Sequence, residues 1–141
     1  MCIRDRAVVH PEKYACNIIC DNQRGAEIAA RYLFDMGHRK IGVLAGREDT
    51  DPAAVRLEYF LSTLESLGVE REQCTIFDGD FTFLCGKKAA SAMAVLENDQ
   101  RPSAVFCAND LSAAGLIQGS AEHGIAVPND VSVLGLSLIH I

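Results

Sequence analysis

The stretch Ala104-Val105-Phe106-Cys107-Ala108-Asn109-Asp110 runs from an unbroken apolar segment straight into Asn-Asp. A second stretch, Val127-Pro128-Asn129-Asp130-Val131-Ser132-Val133-Leu134-Gly135, closes the same train of short strands. A buried strand that ends in polar residues and then opens a helix is how an open α/β sheet presents hydrogen-bonding groups to a ligand. Working back from Ala104, the pattern recurs at four strand ends, which argues for a small-molecule site.

Asn17-Ile18-Ile19-Cys20 reads as a short strand ending at Asp21. Asn22 then reads as the N-cap of a helix carrying Ala26, Ile28, Ala29, Tyr32, Leu33 and Met36, stopped by Gly37. Lys40 to Ala45 is an apolar strand closed by Gly46, and the polar loop Arg47-Glu48-Asp49-Thr50 leads to Asp51-Pro52, a cap-then-proline helix start. That helix carries Val55, Tyr59, Phe60, Leu64 and Leu67 and ends at Gly68. Cys74 to Phe77 is a strand running into Asp78-Gly79-Asp80-Phe81, followed by an alanine-rich helix from Leu84 to Glu97. After a turn at Gln100-Arg101-Pro102 come a strand (Ser103 to Cys107), a helix (Asp110 to His123) and a strand (Val131 to Leu134). Five strands alternating with four helices predict an α/β fold, a parallel doubly wound sheet with helices on both faces. The continuous apolar strands fit burial on both faces.

The 141 residues suit one domain, and 49% hydrophobic with 6% aromatic residues is an ordinary globular mixture. A net charge of −6 argues against a nucleic-acid-binding surface in this segment. No apolar run approaches the roughly 20 residues of a membrane-spanning helix. The six cysteines show no Cys-x-x-Cys zinc or redox spacing; Cys16, Cys20, Cys74, Cys85 and Cys107 read as reduced core thiols of a cytoplasmic protein. His10, His38, His123 and His140 are scattered, so no metal or cofactor is expected.

The two ends stand apart. Met1-Cys2-Ile3-Arg4-Asp5-Arg6 can be encoded by ATGTGTATAAGAGACAG plus one base. The reverse complement of that DNA encodes Leu-Ser-Leu-Ile-His and then Ile or Met, and the chain ends Leu136-Ser137-Leu138-Ile139-His140-Ile141. The shared DNA resembles the adapter end of transposase-based sequencing libraries. Residues 1–6 and 136–141 are therefore expected to be non-native, and 7–135 to be a fragment of a longer protein.

In a doubly wound sheet the ligand lies beyond the carboxyl ends of the strands, near a change in strand order. The residues expected there are Asp21 and Asn22, Gly46 with the loop to Asp51, Asp78, Asp80 and Phe81, and Asn109 with Asp110. Arg56, one turn into its helix, can reach the same edge. Carboxylates, an amide, a guanidinium and one aromatic ring form a cage suited to a sugar or a nucleobase. Each piece also has a plainer reading: Asn22, Asp51 and Asn109 as helix caps, Arg56 as a solvated helix residue, Phe81 as core. Gly37-His38-Arg39 is most simply a helix C-cap turn with basic residues near the helix's negative end.

Taken in order, these segments resemble the effector-binding core of the LacI/GalR family of bacterial transcriptional regulators, chiefly its carboxy-terminal lobe. The matching residues are Asp21-Asn22 with Gly25-Ala26 and Tyr32-Leu33, Gly37-His38-Arg39-Lys40-Ile41-Gly42, Gly46, Arg56 and Gly79-Asp80-Phe81. The match continues through Arg101-Pro102, Ala104 to Asp110, Ala114-Gly115 and Val127 to Gly135. The resemblance implies a fold like the periplasmic sugar-binding proteins, two lobes closing on a ligand, with an amino-terminal helix-turn-helix and a homodimer on a palindromic operator. It implies effector contacts at Asp21, Arg56, Phe81 and Asn109, with Thr50 and Asp51 as further specificity determinants. The sequence departs from the family at Tyr59, where glycine is frequent. It also departs after Gly135, where Gly-Phe/Tyr-Asp-Asp/Asn and its ligand-binding aspartate are expected.

The function so implied is ligand sensing by a transcriptional regulator, expected to be a repressor responding to a sugar or purine-like effector. Operator DNA would be held by a helix-turn-helix outside this segment, with no membrane partner. The alternative is a periplasmic sugar-binding protein of an uptake system. An enzyme is disfavoured, since the chain has no Gly-x-Ser-x-Gly, no phosphate-binding Gly-Lys-Ser/Thr loop and no metal cluster.

Overall fold

The computed structural model describes residues 20–136. The elements run α1 (Asn22–Asp35), β1 (Ile41–Leu44), α2 (Asp51–Ser66), a 3-10 turn (Arg71–Gln73), β2 (Thr75–Phe77), α3 (Phe83–Ala94), β3 (Ala104–Cys107), α4 (Asp110–Glu122) and β4 (Ser132–Gly135). The strand expected at 17–20 lies outside the described residues apart from Cys20.

All strand pairs are parallel, in the order β2-β1-β3-β4. The chain steps from β1 out to β2, then crosses back over β1 to β3 and on to β4. The order thus reverses between β1 and β3, and a ligand edge is expected at their carboxyl ends. β1 and β3 are buried along their whole length, whereas the edge strands β2 and β4 are partly exposed. That is why the central strands lack an alternating pattern.

Two cores flank the sheet. On one face α1 and α2 pack Ala26, Ala30, Leu33, Phe60 and Leu64 onto Ile41, Val43, Ala104 and Phe106. The rings of Phe60 and Phe106 stack at 4.3 Å, tilted by 8°. On the other face α3 and α4 pack Cys85, Ala90, Met93, Ala113 and Leu116 onto Leu44, Val105 and Cys107. Successive strand residues alternate between the two cores, so the helices cover both faces as the sequence predicts. Burial of the larger side chains contributes about 1.5–3 kcal/mol each.

The helix α3 begins at a Thr82 cap, whose hydroxyl accepts from the Cys85 N–H at 3.2 Å, and stops at Ala94, three residues short of the predicted Glu97. It meets α4 backbone to backbone. A side chain at Gly115 would run into the Phe83 carbonyl, and one at Gly86 into the Ser112 carbonyl. Gly86, Gly115 and Gly119 are therefore consumed in the contact between these two helices. The 3-10 turn at Arg71–Gln73, between α2 and β2, is closed by a reciprocal capping box between Glu70 and Gln73.

Two caps differ from the expected ones. Asp21, not Asn22, caps α1, its carboxylate accepting from the Arg24 N–H at 2.9 Å. Thr50 occupies the cap position of α2, leaving Asp51 inside the first turn. The Thr50 hydroxyl donates instead to the Arg47 carbonyl at 2.8 Å. Gly37 ends α1 as expected, with φ of +92°. The cysteines divide: Cys85 and Cys107 are buried, Cys74 is half-buried and Cys20 is exposed, so the core-thiol expectation fails at Cys20.

Candidate functional site

Parallel pairing carries on one step past the strands. The Ala45 N–H donates to the Phe77 carbonyl at 3.0 Å and the Ala108 N–H to the Leu44 carbonyl at 2.9 Å. This sets Gly46 and Asn109 side by side where the strand order reverses. Phe81, after β2, takes the left-handed φ of +69° and lays its ring over Gly46, in the space a side chain there would fill. The carboxamide of Asn109 fixes this arrangement: Nδ2 donates to the Phe81 carbonyl at 2.9 Å, while Oδ1 accepts from the Ser112 N–H at 2.9 Å. Asn109 therefore caps α4 and clamps the Phe81 loop at once.

Arg56 reaches back from α2 to the same edge. Its Nε donates to Asn22 Oδ1 at 2.9 Å, and its Nη1 donates to the Ala108 carbonyl and, at 3.4 Å, to the Leu136 carbonyl. One guanidinium thus ties the start of α1 to the ends of β3 and β4. Burial pulls its pKa below the ordinary arginine value, and the negative charge of Asp110 opposes that shift. The group remains a cation at neutral pH. The solvated-helix reading of Arg56 does not hold.

Of the predicted site residues, Arg56, Asn109 and Phe81 converge, linked through Ala108 and Gly46. Asp21 stands next to this group but is exposed and engaged as a cap. Asp51 is exposed and Thr50 half-buried, and among the described residues no hydrogen bond joins either to Arg56. Asp80 serves its own loop: its carboxylate accepts from the Thr82 hydroxyl at 2.6 Å and N–H at 3.0 Å, which holds it below the usual carboxylate range. Asn22, read from the sequence first as a cap, proves to be the acceptor that holds Arg56. Tyr59 lies on the outer side of α2, where its backbone carbonyl accepts from the Thr63 hydroxyl at 2.6 Å. Far from this edge, a shallow groove of about 420 Å³ is lined by Ile117, Ala121, Gly124, Ile125, Ala126 and Val127.

A doubly wound lobe with polar groups converging at its reversal point belongs to the class of ligand-binding lobes. Residues 30–139 match the periplasmic binding protein-like domain. The chain belongs to that family, in the form carried by LacI/GalR regulators. It is similar to the HTH-type transcriptional repressor CytR of Escherichia coli K12, with 35% identity over 129 residues, 92% of this chain and 37% of that protein. The HTH-type transcriptional repressor PurR of Proteus mirabilis is 40% identical over 118 residues, 83% of this chain and 34% of that protein. Among solved structures, a LacI family transcriptional regulator from Enterococcus faecium with bound ribose superposes with a TM-score of 0.74 at 27% identity, over 82% of this chain and 41% of that one. The chain thus spans little more than a third of the length of these curated relatives.

Proposed function

We propose that this chain is the effector-sensing lobe of a cytoplasmic, DNA-binding transcriptional repressor, and that Arg56, Phe81, Asn109 and Asp21 contact a sugar or purine-like effector, with Thr50 and Asp51 contributing specificity. The observation that carries this reading is the half-buried Arg56 guanidinium at the β1–β3 reversal, bonded to the Ala108 carbonyl at the end of β3, with the Phe81 ring over Gly46 at the end of β1. A fixed cation with a planar fork suits hydroxyls or a carbonyl, and an adjacent aromatic ring suits a sugar or base face. The relatives' names are those of repressors, which favours regulation over the uptake reading. Residues 7–135 are taken as the natural segment, and operator DNA is held by a helix-turn-helix elsewhere in the full-length protein.

The test is calorimetric titration of the full-length protein with D-ribose, adenosine and hypoxanthine. One of these should bind, and Arg56→Ala should weaken that binding by more than about tenfold, since a hydrogen bond to a charged group contributes about 1.5–3 kcal/mol. Operator binding by the effector-free protein should be largely retained. A change of less than about 0.5 kcal/mol, the scale of an ordinary surface substitution, would remove Arg56 from the site.

We further propose that the full-length protein is a homodimer formed partly through this lobe. With the glycines of α3 and α4 spent on the contact between them, the surface assigned to this is the exposed apolar set Leu84, Val95, Leu111 and Ile117 carried by α3, its C-cap and α4.

A further inference from the structure

We infer that Asn22 is a positioning residue for effector binding: it acts on the ligand through Arg56 and not by its own contact. This inference rests on the proposal that Arg56 binds the effector. The Arg56 side chain has several rotatable bonds, and a half-buried guanidinium without fixed acceptors would sample several orientations. Within the natural segment the backbone carbonyl of Ala108 accepts from Nη1, at one end of the fork. Asn22 Oδ1 accepts from Nε at 2.9 Å, on a different edge. An acceptor at Nη1 alone allows the plane to swing about that atom; a second at Nε stops the swing. Nη2, the arm on the same edge as Nε, is the one assigned to the ligand.

Asn22 suits this task because Asp21 has taken the cap of α1. Its amide is thereby released to face α2, 34 positions along the chain. A neutral acceptor also adds no negative charge to that of Asp110 beside the guanidinium, whereas a carboxylate at this position would neutralise more of the charge offered to the effector.

The test uses the full-length protein in two arms. Heteronuclear NMR of the arginine Nε–H groups, without ligand, should show a slowly exchanging Arg56 signal that is lost in Asn22→Ala and kept in Asn22→Asp. Titration with D-ribose and adenosine should show Asn22→Ala weakening the bound probe roughly five- to tenfold, a part of the more than tenfold loss expected when Arg56 itself is removed. Asn22→Asp should keep Arg56 oriented and so bind better than Asn22→Ala, but more weakly than the wild type because its charge offsets part of the guanidinium's. In an Arg56→Lys background, which lacks Nε, Asn22→Ala should cause no further loss. An unprotected Arg56 Nε–H in the wild type overturns the inference, as does an Asn22→Ala effect that persists undiminished beside Arg56→Lys. If neither probe binds while the Nε–H behaves as expected, the pairing stands and the effector reading of this edge is what fails.

Discussion

At Gly46 a methyl group would occupy the space that the Phe81 ring fills. Gly46→Ala should therefore lower the unfolding free energy by about 1–3 kcal/mol, as overpacking does. Denaturant unfolding followed by circular dichroism measures it. Pairing the change with Phe81→Leu should recover part of the loss, and an unchanged loss in the double variant would place the strain elsewhere. The thiols offer a second prediction at this scale. Burial raises the Cys107 thiol far above its ordinary value of about 8.5, so the folded protein holds it protonated. For a group raised on folding, the stabilisation is full below the unfolded value and is lost as pH climbs past it. Stability should fall between about pH 8.5 and 10, and Cys107→Ala should flatten that fall in denaturation midpoints. Under native alkylation at pH 8, peptide mapping should find exposed Cys20 modified well before Cys107.

Between elements, the closest approach is α3 against α4, where the Phe83 carbonyl sits at the position of a Gly115 side chain. Gly115→Ala raises helix propensity and yet should destabilise the protein by about 2 kcal/mol, because backbone cannot yield as a side chain can. Ala114→Gly, at the neighbouring exposed position, should cost about 1 kcal/mol by propensity alone. Equal effects would mean that the helices slide apart. Elements of this kind were largely legible in the sequence, since apolar runs, Gly37 and the Asn109 cap are local signals. α3 was read too long because Val95, Leu96 and Glu97 keep an apolar, helix-like composition past its end. At the site, the strand-end position of Phe81 and Asn109 and the reach of Arg56 could be read. The Asn22–Arg56 bond could not, because an asparagine opening a helix also looks like a cap, and which helix faces it is set by tertiary packing.

For the whole molecule, charge and surface settle what the lobe can do by itself. A net charge of −6 opposes phosphate binding, so this polypeptide should give no sequence-specific shift of operator DNA at physiological salt, whereas the full-length protein should. Specific shifting by the isolated chain would overturn that expectation. The dimer proposal carries the last prediction. Ile117 is 45% and Leu111 40% exposed on α4, a helix whose inner face is already committed to α3 and the sheet. A charge placed at an apolar contact must be desolvated without a partner, which typically costs several kcal/mol per interface. Ile117→Asp in the full-length protein should therefore turn a micromolar dimer into a monomer in sedimentation. Operator affinity should drop with it, because two half-sites are then engaged separately. Effector binding should change less than threefold, since Ile117 lies about two helical turns along α4 from Asn109. If the variant remains dimeric, the lobe's contact uses another surface, and the outward face of α1 with Ile28, Tyr32 and Met36 becomes the next one to charge.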